Sequence, residues 1–142
     1  KNINFLTVGL LTKQKGISYL LRAAQRLVQR SITSFELTIG GDGPERPSLE
    51  RLARALGIAS RCRFTGLLTR EQAKYCMQQC DVFAMPSLHE TFGLAQAEAI
   101  ACGKPVIATR CGGSEFVVTP ETGILVETAN PEALANAMAD FI

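Results

Sequence analysis

Six short apolar runs, separated by stretches of helical period, constrain this chain more than any other feature. They are Ile3 to Leu10 (INFLTVGL), Ser34 to Gly40 (SFELTIG), Arg61 to Gly66 (RCRFTG), Asp81 to Met85 (DVFAM), Lys104 to Thr109 (KPVIAT) and Gly123 to Val126 (GILV). Their apolar residues run on instead of alternating with polar ones, which is the pattern of strands covered on both faces. Between the first two, Lys15 to Arg30 places Ile17, Leu20, Leu21, Ala24, Leu27 and Val28 on one helical face. Arg22, Arg26 and Arg30 share the opposite, solvated side. Ser48 to Leu56 is a second amphipathic helix, closed by Gly57. Thr69 with Gln72 three residues on forms a capping box, opening a helix that reaches about Gln79. A helical run goes from Phe92 to Gly103, and a short helix from Ser114 to Val118. Asn130 as N-cap and Pro131 at the first helical position start a last helix that runs to the end. Strands and helices in alternation, joined by short loops, predict an α/β fold: a Rossmann-like, doubly wound parallel sheet of six strands with helices on both faces. The expected organisation is one domain over residues 1–142.

Composition narrows the class. Hydrophobic residues make up 46% of the 142, enough for a sizeable core. The 15 basic and 13 acidic residues balance to +2, which argues against a nucleic-acid surface. No apolar run reaches the length of a membrane span. The start, at Lys1, shows no signal-peptide pattern and enters a strand at once, so the expectation is a piece of something longer. Cys62, Cys76, Cys80, Cys102 and Cys111 form no CxxC pair and have one histidine to assist them. They read as buried, reduced thiols, with Cys76 and Cys80 able to face each other on a helix, and no metal site is expected.

Ligands on open parallel sheets bind beyond the carboxyl ends of the strands. Every glycine or polar cluster of this chain falls at such an end. The fingerprint GxGxxG is missing after the first strand, because Gly9 and Gly16 are too far apart, and there is no P-loop. What stands out instead is Pro86 to Gly103, PSLHETFGLAQAEAIACG. A polar loop leads into a helix, and Glu90 and Glu98 lie eight residues apart, roughly 12 Å along a helix axis. A helix start with unpaired N–H groups is an anion site. Acids on either side of it suit a ligand with phosphate in the middle and hydroxyls at its ends. Glu98 lies among alanines and is expected to be at least half buried, needing a hydroxyl partner. Lys15 at the start of the first helix is electrostatically misplaced unless a phosphate shares the space. His89 is a lone loop histidine. Glu115, after two glycines, can accept a hydrogen bond or favour the start of its own helix.

The ordered set of motifs resembles the C-terminal, nucleotide-sugar-binding domain of a GT-B glycosyltransferase of the large retaining family called group 1 or family 4. The residues that carry the likeness are Gly9 with Lys15 and Gly16; Gly40 to Pro44 (GGDGP); Phe64, Thr65 and Gly66; Pro86 and Ser87 with Glu90, Phe92 and Gly93; Glu98 and Ala99 with Cys102 and Gly103; Pro105 and Val106; Gly112 and Gly113 with Glu115; and Gly123 with Leu125 and Val126. The resemblance implies that Glu90 contacts the donor sugar and Glu98 the ribose. It implies that the amides around Phe92, Gly93 and Leu94 meet the diphosphate and that Lys15 neutralises it. Gly9 and His89 are expected among the donor-binding residues, and the turn of Gly66 and Leu67 would lie beside the nucleobase. The implied chemistry is metal-independent transfer from a UDP-, GDP- or ADP-sugar with retention at the anomeric carbon. No cofactor is implied. The implied partner is an N-terminal acceptor domain, through which alone a membrane would be touched. The implied location is cytoplasmic, with a peripheral place at the inner membrane face left open for the full-length protein. One departure stands out: the family usually has arginine where this chain has Leu10. Loss of one charge-assisted donor costs on the order of 3 kcal/mol of transition-state stabilisation. That departure keeps a non-catalytic nucleotide-sugar-binding module as the alternative. A nucleotide-sugar epimerase or a phosphorylase of the same architecture is the other, though no pyridoxal-phosphate lysine motif is evident.

Overall fold

Strands apolar on both faces build the sheet around its first and fourth apolar runs. The computed structural model describes residues 1–142. Its strands are β1 (Ile3–Val8), β2 (Phe35–Gly40), β3 (Cys62–Gly66), β4 (Val82–Met85), β5 (Val106–Thr109) and β6 (Gly123–Val126). All neighbours pair in parallel, in the order β3-β2-β1-β4-β5-β6. The helices are α1 (Ile17–Gln29), α2 (Arg46–Ala55), α3 (Arg70–Gln79), α4 (Leu94–Ala101) and α5 (Pro131–Ala139). No helix is long and apolar enough to cross a membrane.

Successive strand residues feed opposite cores, as the pleat requires. Phe5, Leu37, Val82, Ala84 and Ile107 join α1, α2 and α5 in one core. Leu6, Phe83, Met85, Val106 and Ala108 join residues of α3 and α4 in the other. The central strands are buried on both faces, whereas the edge strands β3 and β6 are mostly half-exposed. The expected doubly wound, six-stranded sheet is the one observed.

Local chemistry sets most element ends. The Thr69 capping box forms: Gln72 N donates to Thr69 Oγ1 at 3.1 Å, and Thr69 N donates to Gln72 Oε1 at 2.9 Å. Asn130 Oδ1 accepts from Ala133 N at 3.0 Å, and Pro131 opens α5. At the end of α2, Gly57 takes φ 74°, and Ile58 N reaches back to Ala53 O at 3.0 Å.

Several boundaries differ from the sequence expectation. Lys15 does not start α1. It ends a 3-10 turn, Lys13–Lys15, and α1 begins only after Gly16. Gly16 has φ 67°, and a Cβ there would lie 2.1 Å from Pro86 O, so the chain must turn at a glycine before the helix can start. α2 starts at Arg46, two residues early, and Arg61 belongs to a 3-10 turn, Ala59–Arg61. α4 starts at Leu94, after Gly93 in the left-handed region, so Phe92 stays in the loop. The short helix after β5 is a 3-10 turn, Gly113–Phe116, and α5 stops at Ala139. Arg26 and Arg30 are not idle on a solvated face: both pair with Glu132 of α5, and Arg30 also donates to Asn136 Oδ1 at 2.8 Å.

All five cysteines are free thiols, but Cys80 alone is fully buried, and it caps α3 rather than continuing it toward Cys76. Burial pushes the Cys62 and Cys80 thiols up to about 11, so both are neutral at pH 7.

The β1–β4 pair is tied at its amino end by Asp81. Asn4 N donates to Asp81 Oδ2 at 2.8 Å, and Asp81 N donates to Asn4 O at 2.9 Å. The Asn4 N–H, helped by Lys1, holds the Asp81 carboxyl below its ordinary range. A carboxyl lowered in the folded state adds stability above its unfolded pKa and loses it as pH falls through the folded value. Urea denaturation should therefore show stability dropping below about pH 4. Asp81→Asn should cost about 1 kcal/mol at pH 6 and flatten that drop. An unaltered pH slope would contradict the assignment.

Candidate functional site

Strands β1 and β4 are neighbours, but β1 leads to α1 on one face and β4 to α4 on the other. Their carboxyl ends therefore open a crevice, the usual ligand position in such sheets. It is an open cleft of about 490 Å³, with Gly9, Lys15, His89, Glu90, Gly93 and Glu98 on its walls.

The centre of the cleft is an ion pair. Lys15 Nζ donates to Glu90 Oε2 at 2.9 Å, with the lysine side chain 26% exposed and the glutamate 11%. The Lys15 stem lies across Gly9, where a Cβ would sit 3.6 Å from Lys15 Cε. Ser87 Oγ donates to the same Glu90 oxygen at 3.0 Å, so Glu90 Oε1 is left for another partner. Backbone contacts fasten the two loops together. Leu88 N donates to Gln14 O at 2.8 Å, and Gln14 Nε2 to His89 O at 3.3 Å.

A third loop, after β5, fixes the far side. Gly113 N donates to Glu90 O at 2.6 Å, and Glu90 pairs with Gly112 in a parallel bridge. Glu115 Oε1 accepts from Gly112 N at 3.2 Å, so this carboxylate caps its own turn and does not reach into the cleft. α4 then starts with no side-chain cap, its first amide N–H groups unpaired by position. A partly desolvated cation, a carboxylate with one free oxygen and an open helix start thus meet in one cleft. That arrangement can hold an anion beside a polyhydroxyl group. No three or more His, Cys, Asp or Glu side chains gather into an ion-binding cluster.

The expected residues distribute unevenly. Gly9, Lys15, His89, Glu90, Phe92, Gly93, Leu94 and Glu98 all line the cleft. Gly66 and Leu67 do not; they lie at the end of β3, two strands away from β1, with Leu67 85% exposed. Glu98 is not half buried as expected but exposed. α4 turns Gln96 and Ala99 into the fold, and Glu98 falls about 200° round from Gln96. Its carboxylate stands on the ridge between this cleft and a second groove shared by α3 and α4. Leu10 is 60% exposed and brings no charge. Sequence reasoning did not single out Gln14 and Gln96. Ser87 and Gly113 stood within quoted motifs, but their contacts to Glu90 required the fold.

Gly113 is a point of close backbone approach beside the site. A Cβ there would lie 2.5 Å from Phe92 N and Thr91 C, both backbone atoms that cannot step aside cheaply. Gly113→Ala should lower stability by about 1–3 kcal/mol in thermal or urea denaturation. An alanine variant as stable as the wild type would contradict the close approach.

Comparison with known proteins agrees with this architecture. The family model described as glycosyl transferases group 1 matches residues 2–142. An uncharacterized glycosyltransferase of Methanocaldococcus jannaschii is 37% identical over 92% of this chain and 33% of its own length. A D-inositol 3-phosphate glycosyltransferase of Corynebacterium urealyticum is 41% identical over 95% of this chain and 34% of its own. Among solved structures, Anabaena HepE in complex with UDP-glucose superposes with a TM-score of 0.89 at 26% identity, over 99% of this chain and 39% of that one. The chain thus spans about a third of the length of the curated relatives it matches. Sequence, fold and cleft position agree that this chain belongs to the group 1 glycosyl transferases.

Proposed function

We propose that this chain is the donor-binding half of a retaining glycosyltransferase, holding a nucleotide sugar in the cleft between β1 and β4. The observation that carries the reading is the Lys15–Glu90 pair, 2.9 Å apart beside the uncapped start of α4. A diphosphate would take positive charge from Lys15 and N–H groups from the loop and helix start at Phe92, Gly93 and Leu94. The free Glu90 oxygen would accept sugar hydroxyls, with His89 at the same rim. Glu98, exposed and with no protein hydrogen bond to its carboxylate, would take the ribose hydroxyls. Gly66 and Leu67 would border the base. The UDP-glucose complex of HepE supports the ligand class.

The reaction follows from that placement. The bond from the anomeric carbon to the phosphate oxygen breaks, the oxygen of an acceptor hydroxyl takes its place with retention, that hydroxyl's proton passes to the departing phosphate, and the nucleoside diphosphate leaves. Negative charge grows on the leaving phosphate, where Lys15 and the fixed amides stabilise it most. The charge is supplied by the protein, so no divalent ion is invoked. The acceptor side of the cleft is assigned to a further domain of the full-length protein, as the threefold greater length of the relatives supports.

Leu10 favours a second reading, a module that binds the nucleotide sugar without transferring it, because an expected cation is missing from the phosphate wall. Turnover by the full-length protein separates the two. Isothermal titration of UDP-, GDP- and ADP-sugars should find one class that binds. Lys15→Ala and Glu98→Ala should each weaken it by about tenfold or more, the worth of a charge-assisted hydrogen bond. Equal affinity in both variants would overturn the site.

A further inference from the structure

Gln96 is the one polar side chain of α4 that points inward, and it is 0% exposed. Its Nε2 donates at 2.7 Å to Ser114 Oγ, which is also fully buried. This is the only side-chain hydrogen bond that α4 makes. Ser114 belongs to the 3-10 turn whose Gly113 N–H donates to Glu90 O at 2.6 Å. The same turn packs on the start of α4: a Cβ at Gly93 would lie 3.3 Å from Gly113 O and 3.4 Å from Ser114 Cα. The loop carrying Glu90 is therefore gripped between α4 and the turn, and Gln96 joins those two.

The other half of the Gln96 amide has no protein partner. Oε1 is buried and accepts from no protein group. A half-satisfied buried amide is a poor way to gain stability, since an apolar side chain of similar volume leaves no orphan acceptor. What the amide supplies is a fixed direction for Ser114. We propose that Gln96 is a positioning residue that holds the Gly112–Gly113 turn, and through it the Glu90 backbone, where a donor sugar needs the carboxylate. The role rests on the reading of Glu90 as the sugar contact.

Two measurements on the full-length protein test it. In Gln96→Leu, melting temperature should stay level or rise, while amide hydrogen exchange over residues 111–117 quickens about fivefold or more. UDP-glucose affinity should fall about fivefold while UDP affinity stays within about twofold, since the loss concerns the sugar contact. Ser114→Ala should reproduce both changes, and the double variant should add nothing. Unchanged exchange across the turn overturns the proposal. So does an equal loss for UDP and UDP-glucose, which marks a merely structural role. If the wild type binds neither ligand, the nucleotide-sugar reading fails, and exchange alone decides whether Gln96 holds the turn.

Discussion

The site depends on two parallel strands that lie side by side while their outgoing chains part. β1 and β4 share a ladder at Phe5–Val82 and Leu6–Phe83, yet α1 and α4 cover opposite faces of the sheet. A crevice must open where they diverge, and backbone polar groups at its edge need partners. The chain meets that need with ties between loops. Gln14 holds Leu88 and His89, Gly113 holds Glu90, and Lys15 closes across Gly9 onto Glu90. One residue, Glu90, thus gathers the ends of β1, β4 and β5, the first two through its carboxylate and the third through its backbone carbonyl.

Partial burial gives that ion pair its chemical value. An exposed pair would be screened by water and contribute little. At 26% and 11% exposure, Lys15 and Glu90 keep each other company at a cost in hydration, and a ligand with both phosphate and hydroxyls can replace that hydration for each. The uncapped start of α4 would add N–H groups for an anion without any further charged residue. Leu10 makes the opposite contribution, presenting an apolar side chain where the resemblance leads one to expect a cation.

Much of this was legible in the amino acids. Continuous apolar runs marked out six strands, although the edge strands β3 and β6 are mostly half-exposed, and the Thr69, Asn130 and Gly57 ends followed from local hydrogen-bond chemistry that acts within five residues. Glu98 was misjudged because alanines flank it on two helical faces. Period alone cannot say which alanine stripe faces inward, and the late start of α4 at Leu94 gives no sequence signal beyond Gly93. Gln96 takes the buried place instead because its partner, Ser114, arrives from 18 residues away in another loop. The turn at Gly16 was hidden for the same reason, since Pro86 O, far along the chain, demands the missing side chain. Tertiary contacts of that kind leave no local pattern.

The most direct test of the central claim is a crystal structure of the full-length protein with a bound nucleotide sugar. The arrangement predicts diphosphate oxygens within hydrogen-bond distance of Lys15 Nζ and Leu94 N, with the sugar on Glu90 and the ribose on Glu98. A nucleotide seated anywhere other than the β1–β4 crevice, or a diphosphate turned away from the start of α4, would contradict it.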